Sequence, residues 1–379
     1  MPKVRRQFPA PLNAAIGAAI RAGISVLGGP DLGESLAVAS DLGQRFGAAK
    51  FNRKRLARAA EHLAYAYPDW SDEQRKRCAV AAYQHLFMLA VETALLPRLL
   101  TIDGWVARIG VEQTERIIGP LTGKRPVMLV CGHCGNWEIC GYALALLGFP
   151  LHALYRPLDL KPLDQYVRSS RSRSGLVLVD KFGAASTLPD LLSRRVPLGF
   201  VADQNAGVRG LFVPFFGRLA SSYKAIGLLA IQHEAVIIVG AAHRNLPIGT
   251  DGLPRFAPAG HEALRYTMRP FDVITPEDYM AQPDPSFYIA ARYRRAIETS
   301  VRSEPTQFLW MHRYWKSRPK YELAGKEIPP AVLKKIEQLP WMTQAEMDRI
   351  VANGRIDAQT AREGRGPKPS AADEADEGL

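Results

Sequence analysis

The sequence lacks several features that define common classes of protein. It has only four cysteines in 379 residues, three of them at positions 131, 134 and 140, which does not indicate a disulfide framework and fits a reducing cytoplasm. It has no internal repeat and no nucleic-acid-binding signature such as a zinc finger or an aromatic-rich pair of RNA-binding strands. Acidic residues are also in deficit, with 37 Asp and Glu against 49 Lys and Arg and a net charge of +12. This balance predicts an anionic partner, and an anionic lipid or an acidic protein suits it better than nucleic acid.

Long hydrophobic runs are missing as well. Near the N-terminus, the alanine-rich stretch from Leu12 to Leu27 is interrupted by Arg21 and is shorter than the roughly 20 apolar residues that span a bilayer. We expect residues 1–29 to form an interfacial helix whose basic end lies on anionic headgroups. The alternative is a signal peptide, but no small-x-small cleavage site follows the apolar region.

The rest of the chain divides by pattern into three regions. Residues 30–118 are predicted to be helical, with Ser71 as the N-cap of a helix whose apolar stripe would form either core or a channel wall. Residues 119–320 alternate strands and helices, which predicts an α/β fold: a mainly parallel sheet flanked by helices, with an N-terminal helical region before it. Residues 321–379 read as an extension with one or two short helices and a polar tail, disordered from about residue 361. Strands are predicted at 126–132, 151–155, 176–180, 197–202 and 235–241, helices at 136–147, 160–173, 184–194 and 222–233, and an edge strand followed by a basic helix within 262–303.

One stretch, residues 127–138, combines a strand, a turn and a helix start. Val127 to Val130 read as a buried strand, the glycines that follow allow a tight turn, and Asn136 can cap the next helix. His133 lies in this turn, at the carboxyl end of the strand, where open α/β sheets bind their ligands. The pattern therefore predicts a functional histidine at this corner.

Glu138 lies five residues after His133. In one continuous helix the two side chains would be roughly 140° apart, so His133 must precede the helix and Glu138 must lie in its first turn. From there we expect the carboxylate to fold back, fix the imidazole tautomer and stabilise the protonated form. A substrate hydroxyl would supply the nucleophile, and amides at the helix N-terminus would receive an oxyanion. The pattern indicates acyl transfer to an alcohol; the alternative is a histidine that only hydrogen-bonds within a turn.

The stretch Gly-His-Cys-Gly-Asn-Trp-Glu, from Gly132 to Glu138, resembles the His-x4-Asp/Glu motif of the lysophospholipid acyltransferase superfamily. The Asn-Trp-Glu form is similar to that of the lipid A biosynthesis lauroyl/myristoyl acyltransferases. Further blocks are similar to those of the same family in the same order, and the resemblance covers residues 55 to 320. These blocks are Tyr155-Arg156-Pro157 with Arg171-Ser172-Arg173, Ala202-Asp203-Gln204 with Phe212 to Gly217, and Trp310-Met311-His312-Arg313 with Lys316.

This resemblance implies a reaction and a location. A fatty acyl chain would move from an acyl carrier protein or CoA thioester to a hydroxyl of a lipid A precursor, without a metal or an organic cofactor. A phosphatidylinositol mannoside, another glycolipid or a lysophospholipid is the alternative acceptor. The enzyme would lie at the cytoplasmic face of the cell inner membrane, attached peripherally to an anionic membrane surface or through a single N-terminal anchor. It would not bind nucleic acid.

The resemblance also implies catalytic roles for Arg171 and Asp203 beside His133 and Glu138. Arg171 would hold a substrate phosphate with its guanidinium fork, or would receive the oxyanion charge in place of the turn amides. Asp203 would orient that arginine or a substrate hydroxyl, or would only cap a turn. Asn205 stands where some relatives carry a second acid, so that acid is missing from this chain.

Polar residues near these motifs are candidate ligands for the substrate. Phe212 to Gly217, with the basic residues after it, predicts an apolar wall with a cationic rim beside the site, or alternatively a plain hydrophobic turn. The candidates for substrate binding are Arg156, Arg173, Gln204, Arg218 and Lys224.

Other functions are compatible with the same corner. Cys131-Gly132-His133-Cys134 has the letters of a disulfide-isomerase motif, which would make the chain a thiol–disulfide oxidoreductase, although Val130 replaces the usual tryptophan. The clustered cysteines and His133 would suit zinc only if a second ligand pair existed. Cys134 would be an acyl-accepting nucleophile if its position lowered its pKa. A noncatalytic anionic-lipid-binding protein is a further alternative.

Overall fold

The computed structural model describes residues 9–158, 160–173, 175–180, 183–247 and 265–364. The first basic residues of the expected interfacial helix and residues 365–379 of the expected disordered tail lie outside these ranges. The helices are α1 Ala10–Leu27, α2 Leu32–Ala48, α3 Arg53–Ala66, α4 Asp72–Leu99, α5 Thr114–Thr122, α6 Trp137–Leu146, α7 Lys161–Ser172, α8 Ala184–Ser193, α9 Lys224–His233, α10 Pro276–Met280, α11 Pro285–Ser303, α12 Lys320–Leu323, α13 Pro330–Glu337 and α14 Gln344–Arg362. The strands are β1 Ile109–Val111, β2 Val127–Cys131, β3 His152–Tyr155, β4 Val177–Asp180, β5 Leu198–Val201, β6 Leu211–Phe215, β7 Arg218–Ser222, β8 Val236–Arg244 and β9 Tyr266–Ile274.

The main sheet has seven strands in the order β1-β9-β8-β2-β5-β3-β4. Its pairs are parallel except β8 with β9, which are antiparallel. β2 lies at the centre with helices on both faces, so side chains on either side of it are covered, as its continuous apolar run predicts. The predicted α/β fold with a mainly parallel sheet and an N-terminal helical region is confirmed.

Three local features differ from the predictions. β6 and β7 form a separate antiparallel hairpin, which turns through Phe216 and Gly217 at φ of 53° and 70°. β9 is not an edge strand, because β1 pairs with its outer side. β1 itself lies within the region expected to be helical, and its three residues are too few to show a strand period.

Helix α4 is the long buried helix of the N-terminal region. Ser71 caps it through a capping box with Gln74, as the sequence predicts. Among the described residues, it is the one helix long and apolar enough to cross a bilayer, but 61% of its most apolar window is buried inside the protein. Tyr83, Met88 and Leu95 are in the core, so the predicted apolar stripe of α4 serves packing.

Helices α1 and α14 are the first and the last helix of the described residues. α1 packs near the start of α7, where a Cβ on Gly17 would be 3.5 Å from Cβ of Pro162. α14 is longer than the expected short helix, and its Ile350 belongs to the main core. Residues beyond the resemblance therefore contribute to the folded body.

Candidate active site

The turn that carries His133 is fixed by contacts with distant segments. Gly135 has φ of 66°, and a Cβ there would come within 2.0 Å of the carbonyl oxygen of Ala242 in β8, so a side chain is excluded. The amide of Gly135 donates to the carbonyl of Gln307 at 3.0 Å, and that of Asn136 donates to the carbonyl of Ala242 at 2.8 Å. The turn is thus held between β8 and the segment before residue 309.

Asn136 links this turn to a buried ion pair. Its side-chain oxygen caps α6 by accepting from the amide of Glu138 at 3.1 Å, and its Nδ2 donates to Oε2 of Glu92 at 3.0 Å. Glu92 also accepts from Nη2 of Arg244 at 2.7 Å and from the hydroxyl of Tyr266 at 2.6 Å, and all three side chains are buried. The start of α6 is therefore positioned from α4, because a buried carboxylate must keep its donors.

Asp203 orients His133. The Nδ1–H of His133 donates to Oδ1 of Asp203 at 2.6 Å, and the backbone amide of His133 donates to Oδ2 at 3.0 Å. Asp203 is fully buried just after β5, and Nη1 of Arg294 donates to its carbonyl at 2.6 Å. Burial alone would raise the pKa of Asp203, but the interactions with His133 and Arg294 lower it overall. A carboxylate bound to Nδ1–H leaves Nε2 of His133 as the proton acceptor.

Glu138 does not have the contact that we expected. Within the described residues no hydrogen bond joins Glu138 to His133; instead Nε of Arg171 donates to Oε2 of Glu138 at 2.7 Å, and a second nitrogen of Arg171 reaches Oε1. Nε1 of Trp137 also donates to Oε1 at 3.0 Å, and its ring lies 4.7 Å from that of His133. The helix begins at Trp137, which turns Glu138 toward α7. Asp203 and Arg171 also differ from the expectations. Asp203 orients His133 rather than Arg171 or a substrate hydroxyl, and the guanidinium of Arg171 pairs with Glu138 rather than being available to a substrate phosphate.

A cavity of about 1320 Å³ opens in front of His133. Exposed cations line it at the protein surface, which marks the opening. Deeper, buried apolar residues line it between α6 and one face of the sheet. The exposed cations are Arg55, Arg156, Arg209, Lys224 and Arg313, and the deep lining includes Ile117, Gly141, Leu144, Leu151, Leu176, Gly199, Ile238 and Met268.

The predicted substrate-binding residues divide into two groups. Arg156, Gln204 and Lys224 line the cavity, and Nε2 of Gln204 lies 3.4 Å from Nε2 of His133. In the described part of the protein, Arg173 and Arg218 are not among the lining residues. Arg173 is exposed at the end of α7.

Arg218 and the segment Phe212 to Gly217 need a correction. Arg218 is nearly buried, its Nε donates to Oδ2 of Asp357 in α14 at 2.7 Å, and its guanidinium lies 4.4 Å from the ring centre of Tyr65. Phe215 and its neighbours are buried in the main core rather than beside the cavity. The expected wall is therefore a packed hairpin, because its apolar face is covered by α11 and α14. Of the two cations expected at the rim, Lys224 lies at the opening of the cavity and Arg218 does not.

Residues 32–317 match the sequence profile of the bacterial lipid A biosynthesis acyltransferases. The chain belongs to this family. It is 25% identical to the lipid A biosynthesis palmitoleoyltransferase of Escherichia coli K12 over 284 residues, which are 73% of this chain and 85% of that protein. It is 24% identical to the lauroyltransferase of the same organism over 277 residues, which are 72% and 82%. A lipid A biosynthesis acyltransferase of Haemophilus influenzae is 23% identical over 282 residues, which are 73% and 82%. As a lipid A biosynthesis acyltransferase family member, the chain is an acyltransferase.

The cysteines of this acyltransferase do not have the chemistry of a redox or nucleophilic site. Burial raises the pKa of Cys131 and Cys134 and raises that of Cys140 to about 12. Sγ of Cys134 lies 3.5 Å from Nε2 of His243, in the core. The lowered pKa considered for Cys134 is wrong, because the turn directs its side chain inward. Among the described residues, no cluster of three or more His, Cys, Asp or Glu side chains has the arrangement of a metal site.

The sequence analysis missed one histidine of the acyltransferase site. His312 lines the cavity, and its ring centre lies 6.4 Å from that of His133 with an angle of 18° between the planes. It lies in the Trp310-Met311-His312-Arg313 block, so the resemblance contained the signal. The sequence alone gave no reason to place residues 133 and 312 together.

Proposed function

We propose that this acyltransferase transfers a fatty acyl chain from an acyl carrier protein or CoA thioester to a hydroxyl of a lipid A precursor. The observation that carries the proposal is the His133–Asp203 pair. Nε2 of His133, which lies 3.4 Å from Nε2 of Gln204, belongs to the lining of a cavity with cations at its opening and an apolar interior. An amphiphilic anionic substrate needs these two environments side by side.

In the proposed mechanism, His133 is the general base. Its Nε2 takes the proton of the acceptor hydroxyl as that oxygen forms a bond to the thioester carbonyl carbon, and the carbonyl oxygen becomes an oxyanion. Asp203 stabilises the imidazolium that forms. When the tetrahedral intermediate collapses, the carbon–sulfur bond breaks and the departing sulfur takes the proton from His133. The products are an ester and a free thiol.

The fatty acyl chain is proposed to lie in the apolar part of the cavity. Gly141 on α6 and Gly199 on β5 line this part of the cavity, and the side chains of Leu151 and Leu176 pack closely against them. Burying each CH₂ group contributes about 0.8 kcal/mol, so a long chain is held by this surface alone. The thioester carbon then lies near the turn of His133.

The acceptor headgroup is proposed to lie at the opening of the cavity. Arg156 and Lys224 would bind its anionic groups there, together with the other exposed cations of the rim. Gln204, close to Nε2 of His133, would contact the acceptor hydroxyl. Arg173 is exposed outside the cavity, and we assign it to the anionic membrane surface.

Glu138 and Arg171 are proposed to be positioning residues. Their ion pair holds Trp137, which packs edge-on against His133. The guanidinium of Arg171 also lies 5.0 Å from the ring centre of Tyr155 at the end of β3. The pair thus ties α6 to α7 across the cavity wall.

We also propose a peripheral location on the cytoplasmic face of the cell inner membrane. α1 has Leu12 at 44% and Val26 at 71% exposure, so it presents apolar side chains to its surroundings. The net charge of +12 favours an anionic membrane surface.

The test is acyl transfer by the purified full-length protein in detergent, from an acyl carrier protein thioester to a lipid A precursor. Mass spectrometry of the lipid compares wild type, His133→Ala and the control His152→Gln, whose imidazole lies outside the cavity lining. We expect one added acyl chain with wild type and control and loss of most of the rate with His133→Ala. Equal activity of all three proteins would refute His133 as the base. If none transfers, the acceptor is wrong, and other glycolipids and lysophospholipids are then screened with the same variants.

A further inference from the structure

Five backbone amides around His133 already have hydrogen-bond acceptors. The amide of His133 donates to Asp203, and those of Gly135 and Asn136 donate to backbone carbonyls. The first amides of α6, from Glu138 and Ile139, donate to the cap Asn136. These five amides cannot turn to a substrate without losing those bonds, which argues against them as donors to the oxyanion. A side-chain donor in the cavity can take that role.

His312 is such a donor. Its ring lies nearly parallel to that of His133 with 6.4 Å between ring centres, and both rings line the cavity. Both rings therefore flank the same part of the cavity, where the attacked carbon would lie between a base and a hydrogen-bond donor. The backbone holds His312 in place, because its amide donates to the carbonyl of Leu309 at 2.9 Å and the amide of Leu309 donates to the carbonyl of His133 at 3.2 Å.

The state of the His312 ring suits donation. Within the described residues, neither ring nitrogen of His312 has a hydrogen bond to a protein group, and neither nitrogen is fully buried. Both nitrogens are therefore accessible from the cavity that His312 lines. Burial lowers the pKa of His312; Asp203 opposes this shift, and His133, Arg58 and Arg313 act in the same direction as burial. A neutral imidazole carries one N–H and can polarise a carbonyl without giving up its proton.

Gln204 is a further side-chain donor close to His133. Its Nε2 lies 3.4 Å from Nε2 of His133, so it is on the side where the acceptor hydroxyl binds. It therefore neighbours the nucleophile, and His312 neighbours the carbonyl that is attacked.

We propose that His312 is a catalytic residue of this acyltransferase, whose N–H donates a hydrogen bond to the oxyanion of the tetrahedral intermediate. The inference rests on the proposed function and deepens it. No further reactant is required: the thioester π electrons move to oxygen as the new carbon–oxygen bond forms, and they return when the carbon–sulfur bond breaks. His312 keeps its proton throughout, whereas His133 accepts and returns one.

The experiment uses full-length His312→Ala, His312→Gln and His312→Asn with His152→Gln as the matched histidine control. Gln places an amide near the position of Nε2 and Asn near that of Nδ1, so one of them restores a neutral donor. Removing an oxyanion donor costs about 10²-fold to 10³-fold in kcat. We expect that loss for His312→Ala with KM and the pH profile nearly unchanged, and partial rescue by Gln or Asn. Thermal unfolding verifies that all variants fold.

A second assay separates this inference from the proposed function. Release of free thiol from the acyl carrier protein thioester, with water as acceptor, uses the same oxyanion and needs no lipid. Loss of thiol release in His312→Ala, by a factor similar to that for transfer, supports the inference even if the lipid acceptor is wrong. Full activity of His312→Ala in both assays would overturn it and assign the oxyanion to the other amides of the turn. A shifted pH profile would also overturn it, because His312 would then transfer a proton.

Discussion

Replacing Asp203 with Asn tests how His133 becomes a base. Asp203 accepts two hydrogen bonds, from Nδ1–H and from the backbone amide of His133. An asparagine at this position has one oxygen and one NH₂ group, so it can accept only one of them. The backbone amide is always a donor, whereas the imidazole can exchange tautomers. The oxygen should therefore stay with the amide, and the NH₂ group should face Nδ1.

That arrangement places the ring proton of His133 on Nε2, where the acceptor hydroxyl must lose its own proton. In a serine protease triad the same Asp-to-Asn change leaves the geometry intact and lowers kcat about 10⁴-fold. We expect a loss of about 10³-fold to 10⁴-fold in kcat, with KM little changed because Asp203 is buried and does not line the cavity. If the oxygen of the new asparagine turned to Nδ1 instead, the backbone amide of His133 would lose its acceptor, and the free energy of unfolding should fall by about 1–3 kcal/mol.

The assay is the initial rate of acyl transfer as a function of acceptor concentration, with urea unfolding of the same samples. Asp180→Asn is the control, because Asp180 ends the edge strand β4 and is not part of the cavity lining. A kcat for Asp203→Asn within threefold of wild type would refute the orienting role of Asp203.

Three other predictions concern the Glu138–Arg171 ion pair, the apolar part of the cavity at Gly141, and the Glu322–Arg318 pair. Glu138→Gln and Arg171→Gln should each destabilise the protein by up to about 3–5 kcal/mol, and the double variant by less than their sum, because each single change leaves a partner unpaired; additive losses in urea unfolding would contradict this. Gly141→Leu should shift the transferred chain to a shorter one in a competition between donors analysed by mass spectrometry, since a Cβ at Gly141 is already 3.4 Å from Leu176; an unchanged chain length would place the acyl group elsewhere. Glu322 pairs with Arg318, but burial raises its pKa from 4.5 to about 7. Between these pH values the folded state binds more protons than the unfolded state. The free energy of unfolding should therefore fall as pH rises from 4.5 to about 7, by no more than about 3 kcal/mol. The melting temperature of Glu322→Gln should lack this fall, and parallel pH curves for both proteins would argue against it.

Local pattern was sufficient for the central sheet and the catalytic corner. The run Val127 to Val130, the glycine turn and the cap Asn136 act over a few residues, and the structure has the predicted strand, turn and helix start there. The alternation after residue 119 likewise predicted β2 to β5 and β8, because buried parallel strands and amphipathic helices have different periods. β1 was not predicted because its three residues are too few to show a strand period. The hairpin β6–β7 was not predicted because an apolar run does not indicate the segment with which it pairs.

The sequence patterns did not predict which side chains pair with each other. Glu138 is close to His133 along the chain and was expected to orient it, but Asp203, 70 positions away, does so. Arg218 was placed at the substrate because it follows an apolar run, yet it pairs with Asp357, 139 positions later. In both cases the direction of a side chain depends on how elements pack, which spacing along one element does not contain.

The sequence by itself therefore determined the class of fold, the family and the histidine at the end of β2, because these depend on short-range patterns that each segment carries. Only the tertiary structure decided which carboxylate orients that histidine, that Glu138 holds Arg171, and that His312 faces His133 across the cavity. These are pairings between residues far apart in sequence, and the energy of each depends on burial and on distances of about 3 Å that exist only after the sheet and its helices have packed.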